Sequence, residues 1–463
     1  MISPLTSTIE RARLAVAFAL GLAVTASAFA ASATARSQSD LGKIRQTVAA
    51  TLEADYPSLS EFYQDLHRHP ELSLMEVKTS AKLAAQLRSA GYEVTERVGG
   101  YGIVAVLKNG AGPTLLIRCD LDGLPVTEET GLPYASTDRV TDLSNQEVSV
   151  MHACGHDIHM SVLTGTARQL MALKDQWTGT LVLVGQPAEE RGLGAMAMLT
   201  AGLYRKFPKP DCAIAIHDSA TLPAGKVGLI EGYVMANVDS VDITVRGVGG
   251  HGAYPHTTKD PIVLASQIVV ALQTIVSRET RPLDPAVVTV GSIHGGTKHN
   301  IIPEEVKLQL TLRSYSEKVR AHTIGAIRRI CRGEAIAAGI PEDRMPVVTL
   351  NEGEGTPATY NDPELTRRIR TTLTSWLGET NVVGIDAEMG GEDFSRFGLT
   401  TEKIPICLFR VGAVDPAKVL DSEKTGAPLP SLHSSHFAPV PAPTIKTGVT
   451  ALTAAALDLL SSK

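Results

Sequence analysis

Three short apolar runs constrain this chain more than any other feature, because each gives way to side chains that bind protons or metal ions. Leu115-Leu116-Ile117-Arg118-Cys119 leads into Asp120-Leu121-Asp122, Leu181-Val182-Leu183-Val184 into Gln186-Pro187-Ala188-Glu189-Glu190, and Ala213-Ile214-Ala215-Ile216 into His217. Helical periodicity over 56–68, over 77–90 with Gly91 as its C-terminal stop, after Cys154 and over 194–201 alternates with apolar runs at 102–107, 114–119, 180–184 and 212–216. Strands interleaved with helices predict a doubly wound α/β sheet covered on both faces. Ligands bind beyond the carboxyl ends of the strands in such a sheet, so carboxylates and an imidazole are expected to converge on one edge.

Between 234 and 348 the pattern changes. Val241, Ile243 and Val245 alternate with Asp242, Thr244 and Arg246, as in a strand with one wet face. A helix at 261–276, strands at 287–293 and 306–312, a helix at 316–338 and a strand at 347–350 complete a β-α-β-β-α-β order, that of a ferredoxin-like split βαβ unit. The chain of 463 residues is too long for one compact core, and it divides into 40–233 and 349–463 as the main domain with 234–348 inserted. The second part of the main domain is expected to hold a helix at 363–376, a strand at 404–411 and a helix at 442–460, with 413–430 as a long surface loop.

Composition excludes several classes of function. The chain is 43% hydrophobic and 20% charged, as folded globular proteins are. Its net charge of −6 and lack of any Lys/Arg run exclude a nucleic-acid backbone as partner. Arg11 and Arg13 precede an apolar stretch at 14–30 that ends in Ala28-Phe29-Ala30, the form of a cleaved export signal. The expected product is periplasmic or secreted, with no membrane attachment after cleavage; a retained anchor is the rival reading, although roughly 17 apolar residues are marginal for a span. Five cysteines leave at least one unpaired, and there is no CxxC. Cys212 and Cys407 lie in apolar strands as small buried thiols, whereas Cys154 has a polar setting between histidines.

That setting is Met151-His152-Ala153-Cys154-Gly155-His156-Asp157. Together with Glu189-Glu190, His217 and His433-Ser434-Ser435-His436 it offers thiolate, imidazole and carboxylate, the ligands of borderline divalent cations. Each piece has an ordinary alternative: a buried thiol, a solvated helix start, a satisfied strand-end histidine. Their joint occurrence at loops expected on one edge points to a metal-dependent hydrolase. A metal-containing binding module is the alternative from another class, and the second carboxylate beside Glu190 argues against it.

Further stretches carry a resemblance. His67-Arg68-His69-Pro70-Glu71-Leu72-Ser73, Asp120-Leu121-Asp122-Gly123-Leu124-Pro125-Val126, the Cys154 motif, Gln186-Pro187-Ala188-Glu189-Glu190, Gly249-Gly250-His251-Gly252-Ala253-Tyr254-Pro255-His256, Asn300-Ile301-Ile302-Pro303, Gly391-Glu392-Asp393-Phe394 and Leu432-His433-Ser434 occur in this order. From about residue 56 to the C-terminus the chain resembles the zinc-peptidase-like amidohydrolases of peptidase family M20, the group that includes hippurate hydrolase, bacterial aminoacylases and plant auxin–amino acid conjugate hydrolases.

The resemblance implies two divalent metal ions per subunit, manganese, zinc, cobalt or nickel, held by Cys154, His156, Glu190, His217 and His433, with Glu189 as general base. It implies that His251 of the inserted domain, acting as lid and dimerisation unit, reaches across a homodimer to the oxyanion. Asn300 and Arg313 are candidates for the substrate carboxylate, a surface role being the alternative for Arg313. Asp120 and Asp122 are expected to orient the ligands, Asp122 foremost. The implied substrate is an N-acyl amino acid or short peptide, with a dipeptidase or carboxypeptidase as the alternative. Cys154 favours the acyl-amino-acid branch, because related exopeptidases often have Asp there. The chain departs from the family pattern at Cys119, Leu121 and Gly123, at Asp218 where Val usually follows His217, and at Ser435 where Pro is usual. The last departure leaves His433 and His436 as rivals for one ligand position, and motif register selects His433.

Overall fold

The computed structural model describes residues 38–461 apart from 352 and 354, so the expected export signal at 1–30 lies outside the described residues. The main sheet has eight strands in the spatial order Glu93–Thr95, Ile103–Asn109, Gly179–Gln186, Thr114–Asp120, Cys212–Pro223, Ile406–Val414, Val227–Leu229 and Val382–Gly384. Its four central strands run parallel, and antiparallel neighbours on either side make the sheet mixed.

Side chains alternate across a strand with a period of two, and both faces are covered. Leu115, Ile117, Leu181, Leu183, Ile214 and Ile216 enter the core beneath the helices Gln38–Arg68, Val77–Ser89, His156–Ala172, Pro363–Leu377 and Pro441–Leu459. Leu116, Val182, Val184, Ala213 and Ala215 face the opposite way, against Gly194–Thr200 and Ser395–Gly398. Burial on both faces explains why these strands read as unbroken apolar runs.

The second sheet is antiparallel, in the order Ala286–Gly295, Glu305–Ser314, Asn237–Arg246 and Val347–Leu350. Val306, Leu308, Leu310 and Leu312 face a separate core shared with the helices Pro261–Thr274 and Glu317–Ala337, while Glu305, Lys307 and Gln309 face outward. Both helices start on a side-chain cap: Asp260 accepts from the amides of Ile262 and Val263, and Ser316 from that of Val319. The stretch Pro261–Glu279 is long and apolar enough to cross a membrane; one side of it packs on this sheet through Leu264, Ile268, Leu272 and Ile275.

Three expectations are corrected. The helix expected at 56–68 begins at Gln38, with Pro57 inside it, because Ile44, Val48 and Leu52 extend the buried stripe one turn at a time. The loop expected at 413–430 contains the helix Pro416–Thr425. Its Pro and Gly are helix punctuation: Asp415 caps the Ala417 amide, Pro416 fills the first turn, and Gly426 ends the helix at φ 73°. The strand expected at 212–216 runs on to Pro223, so His217 stands within it.

Candidate metal centre

Cys154 and His156 are delivered by one tight turn. Gly155 between them has φ 72°, and a Cβ there would lie 2.2 Å from Asp218 Oδ2, so only glycine fits. His156 then opens the helix His156–Ala172. Its Nδ1 donates to the main-chain oxygen of Asp122 at 2.7 Å, which aims Nε2 away from the backbone and leaves it buried without a partner. That nitrogen lies 3.9 Å from Glu189 Oε2 and 3.8 Å from Glu190 Oε1.

The two glutamates occupy the turn after the strand Gly179–Gln186. Asp122 pins that turn: its carboxylate accepts from the amides of Glu189 and Glu190 at 3.1 Å each and from Ser73 Oγ at 2.6 Å. From the next strand, His217 turns Nδ1 toward the main-chain oxygen of Asp218 at 2.8 Å and Nε2 toward Cys154 Sγ at 3.5 Å. His433 closes the group, with Nε2 3.3 Å from Cys154 Sγ and 3.4 Å from Glu190 Oε2. Its φ of 67° is left-handed, a strained state for a non-glycine residue that clusters at functional sites. Cys154, His156, Glu190, His217 and His433 are thus brought together, with Glu189 alongside.

His436 is drawn elsewhere. Its Nδ1 donates to the main-chain oxygen of Glu129 at 3.0 Å, and Ser435 Oγ donates to Glu129 Oε2 at 2.7 Å. The residues that made the last ligand ambiguous in sequence therefore tie down the turn that presents His433.

Asp120 does not approach the cluster alone. It accepts from Arg118 at 2.8 Å and lies 2.6 Å from His159 Nδ1. Arg118 is fully buried and pairs with Glu392 at 2.8 Å and Asp393 at 3.2 Å, while its Nε donates to Gln186 Oε1 at 2.9 Å. The Gly391-Glu392-Asp393-Phe394 stretch thus anchors the arginine that carries Asp120. Sequence reasoning missed Arg118 and His159 as parts of the centre. His159 had a visible signal, three residues after His156 and so on the same helix face.

Electrostatics argue for bound cations. Burial foremost, then Glu190, pushes the Cys154 thiol well up. Burial, then Glu392 and Glu190, raises Glu189, and burial chiefly raises Glu190 to about 7. Burial lowers His217, and partial burial with the His156 and His217 rings lowers the half-exposed His433, which favours the neutral imidazoles that bind metal. His156 is raised despite burial, because Asp120 and Asp122 favour its charged form. A crowd of buried anions facing an unpartnered His156 Nε2 and an unpartnered Glu190 Oε1 lacks positive charge. Divalent cations supply it and reverse the shifts on thiol and carboxylate. The donor set, one thiolate, three imidazoles and a carboxylate, fits borderline metals. None of the five cysteines forms a disulfide.

The residues expected from the smaller unit lie apart from this cluster. Gly250–His251 pairs with Ile301–Ile302, His251 and Asn300 are exposed along one open groove, and His251 Nδ1 accepts from the Ala253 amide at 3.0 Å. Arg313 is half-buried, and a Cβ on Gly391 would lie 3.5 Å from its Nη1, so it stands against the loop that bears Glu392.

The profile of Peptidase family M20/M25/M40 matches residues 116–426, about two thirds of the chain and four of the five candidate ligands.

 The ligand beyond its end is His433, in the turn it shares with Ser435 and His436. Over 376 residues the chain is 37% identical to thermostable carboxypeptidase 1 of Saccharolobus solfataricus, covering 80% of this chain and 88% of that one. It is 35% identical over 333 residues to the N-acetyl-L-cysteine deacetylase of Bacillus subtilis, covering 72% and 75%. Among solved structures, a dinuclear metal-binding peptidase of the M20 family from Bacillus subtilis superposes with a TM-score of 0.68 at 28% identity, over 87% of this chain and 98% of that one.

The chain belongs to peptidase family M20. As a member of that family it is a metallo-hydrolase acting on amide or peptide bonds, and the edge of the main sheet described above is where its donors collect.

Proposed function

We propose that this M20 hydrolase cleaves the amide of N-acyl amino acids, releasing a carboxylic acid and a free amino acid, with two divalent cations held by Cys154, His156, Glu190, His217 and His433. One observation carries the mechanism: Glu190 turns one oxygen toward His433 at 3.4 Å and the other toward His156 at 3.8 Å, while the buried Glu189 lies beside His156 at 3.9 Å. Two adjacent carboxylates thereby divide the work, Glu190 holding metal and Glu189 keeping an oxygen free for a proton. Cations held by these five residues would supply Lewis-acid polarisation of the scissile carbonyl and of the attacking water. Glu189 takes the proton from the attacking water and passes it to the leaving amine.

In this reading Arg313 forms a fork with the substrate carboxylate, Asn300 contributes to the same recognition, and His251 donates a hydrogen bond to the oxyanion from a second copy of the chain. The smaller sheet offers a surface for that copy. Val263 and Val270 on the outer side of the helix Pro261–Thr274 are 53% and 71% exposed, and the edge strand Ala286–Gly295 presents Ile293 at 52%. An open strand edge beside an apolar helix face is a template for pairing. Export by the segment at 1–30 belongs to the same proposal.

Carboxypeptidase action is the second reading, favoured by the 37% identity to the Saccharolobus enzyme. Both reactions release a free amino acid, so the test is a panel of N-acetyl, N-benzoyl and indole-acetyl amino acids and dipeptides, run on enzyme reconstituted separately with zinc, manganese, cobalt and nickel. Turnover of the acyl amino acids above the dipeptides is expected; the reverse order establishes the peptidase reading, and loss of all activity without any response to metal removes both.

A further inference from the structure

Asp218 belongs neither to the ligand set nor to the proton-transfer pair, yet it is buried at the centre. Its Oδ1 lies 3.2 Å from His217 Nδ1 and 3.3 Å from His159 Nε2, and its amide nitrogen lies 3.0 Å from the same His159 nitrogen. His159 is gripped from the other side by Asp120 Oδ1 at 2.6 Å, and Asp120 is itself held by buried Arg118. The second oxygen, Oδ2, has no hydrogen-bond partner and abuts Gly155, where a Cβ would come within 2.2 Å. One side chain therefore touches the ring of one ligand residue and the backbone between two others, and is braced through His159 and Asp120 to the arginine beneath the sheet edge.

We infer that Asp218 is a positioning residue that presets His217 and the Cys154-Gly155-His156 turn for metal, so that its main effect is on how long metal is retained. The Asp218 main-chain oxygen, 2.8 Å from His217 Nδ1, fixes the tautomer, and the carboxylate at 3.2 Å behind it steadies the ring and raises its basicity toward an ion. The contact with Gly155 extends this control to the thiolate and to His156. The inference rests on reading Cys154, His156 and His217 as metal ligands. A merely structural role for Asp218 predicts something different: loss of the side chain would lower the melting temperature of the metal-free chain and leave its metal affinity alone.

The test uses the full chain, stripped and reloaded with zinc or cobalt(II), in the parent and in Asp218→Asn and Asp218→Ala. Zinc release into excess chelator is expected to speed up by about tenfold or more in both variants, in the range found when outer-shell partners of metal ligands are changed. The visible absorption of the cobalt(II) form is expected to shift, reporting altered geometry at the sulfur and imidazole donors. Unchanged release and an unchanged cobalt spectrum overturn the inference, whatever happens to the melting temperature. Where a variant folds only with metal present, the dependence of its melting temperature on zinc concentration replaces the release rate, and a dependence equal to the parent's overturns it equally. A parent that binds neither zinc nor cobalt removes the ligand reading itself, an outcome distinct from variants that bind as the parent does.

Discussion

The carboxyl edge of the main sheet and the open groove of the smaller sheet treat polar side chains in opposite ways. At the first, Arg118, Asp120, Asp122, His156, His159 and His217 are buried and braced against one another. At the second, His251 and Asn300 stand in the open, and His251 is met by one backbone amide of its own turn. Buried ionic groups require partners with good geometry, and the main unit supplies them from stretches far apart in the chain. The lesson is a division of labour: the donors of the centre assemble within a single chain, whereas His251 and Asn300, expected at the oxyanion and the substrate, stand exposed along the groove of the smaller sheet.

The sharpest way to break this division is at the adjacent glutamates. Glu189→Gln is expected to keep its metal content and lose about 10²–10⁴-fold in turnover, the range of a general acid–base contribution. Glu190→Gln is expected to lose metal first, because its oxygen faces His433 and Cys154 stands next to both. Metal analysis beside initial rates reads both outcomes. Near-parental turnover in Glu189→Gln, or equal metal loss in the two variants, would show that the two carboxylates do not have separate tasks.

How much of this was legible in the sequence follows the same boundary between buried and exposed. The parallel strands were readable because double burial leaves only apolar residues, and the smaller sheet because one wet face imposes alternation, as in the strand Glu305–Ser314. Five candidate ligands were readable because thiolate, imidazole and carboxylate are uncommon together at strand ends. The brace beneath them was not. Arg118 looks like an interruption in an apolar strand until Glu392 and Asp393, more than 270 residues later, are folded against it. His436 is chemically equal to His433, and the fold parts them: His433 faces Cys154 and Glu190, His436 the main-chain oxygen of Glu129. The helix Pro416–Thr425 was hidden because Asp415, Pro416 and Gly426 mark turns and helix ends alike.

The second prediction concerns the exposed side of the comparison. His251→Ala is expected to leave metal content and melting temperature unchanged and to lower kcat by about 10²–10³-fold, the cost of removing one oxyanion donor. If the histidine serves the partner's centre, mixing His251→Ala chains with Glu189→Gln chains restores activity, since one site in each mixed dimer then has an intact Glu189 and an intact His251. Restoration absent from mixtures shown to exchange subunits would place His251 in the service of its own chain or of none.

The smallest expected effect tests whether buried charge in the main unit governs stability against pH. His67 is buried between Asp157, with Nδ1 to Oδ2 at 2.6 Å, and Glu128, with Nε2 to Oε1 at 3.0 Å. Burial works against a charged ring, but the two carboxylates prevail and raise its pKa from 6.5 to about 10. The folded chain then holds this proton more tightly than the unfolded one, so the stabilisation is fully present below pH 6.5 and is lost as the pH rises through about 10. Within that window one such group contributes a slope of up to about 1.4 kcal/mol per pH unit. Denaturant unfolding of His67→Gln at a series of pH values is therefore expected to show a shallower fall in stability than the parent between pH 6.5 and 10. The exposed Arg344–Glu304 pair of the smaller unit is the control, because solvent screens it. Glu304→Gln should leave the slope as it is; a slope equally unaffected by His67→Gln would mean that the buried ring is neutral and that the contrast between the two regions does not extend to their response to pH.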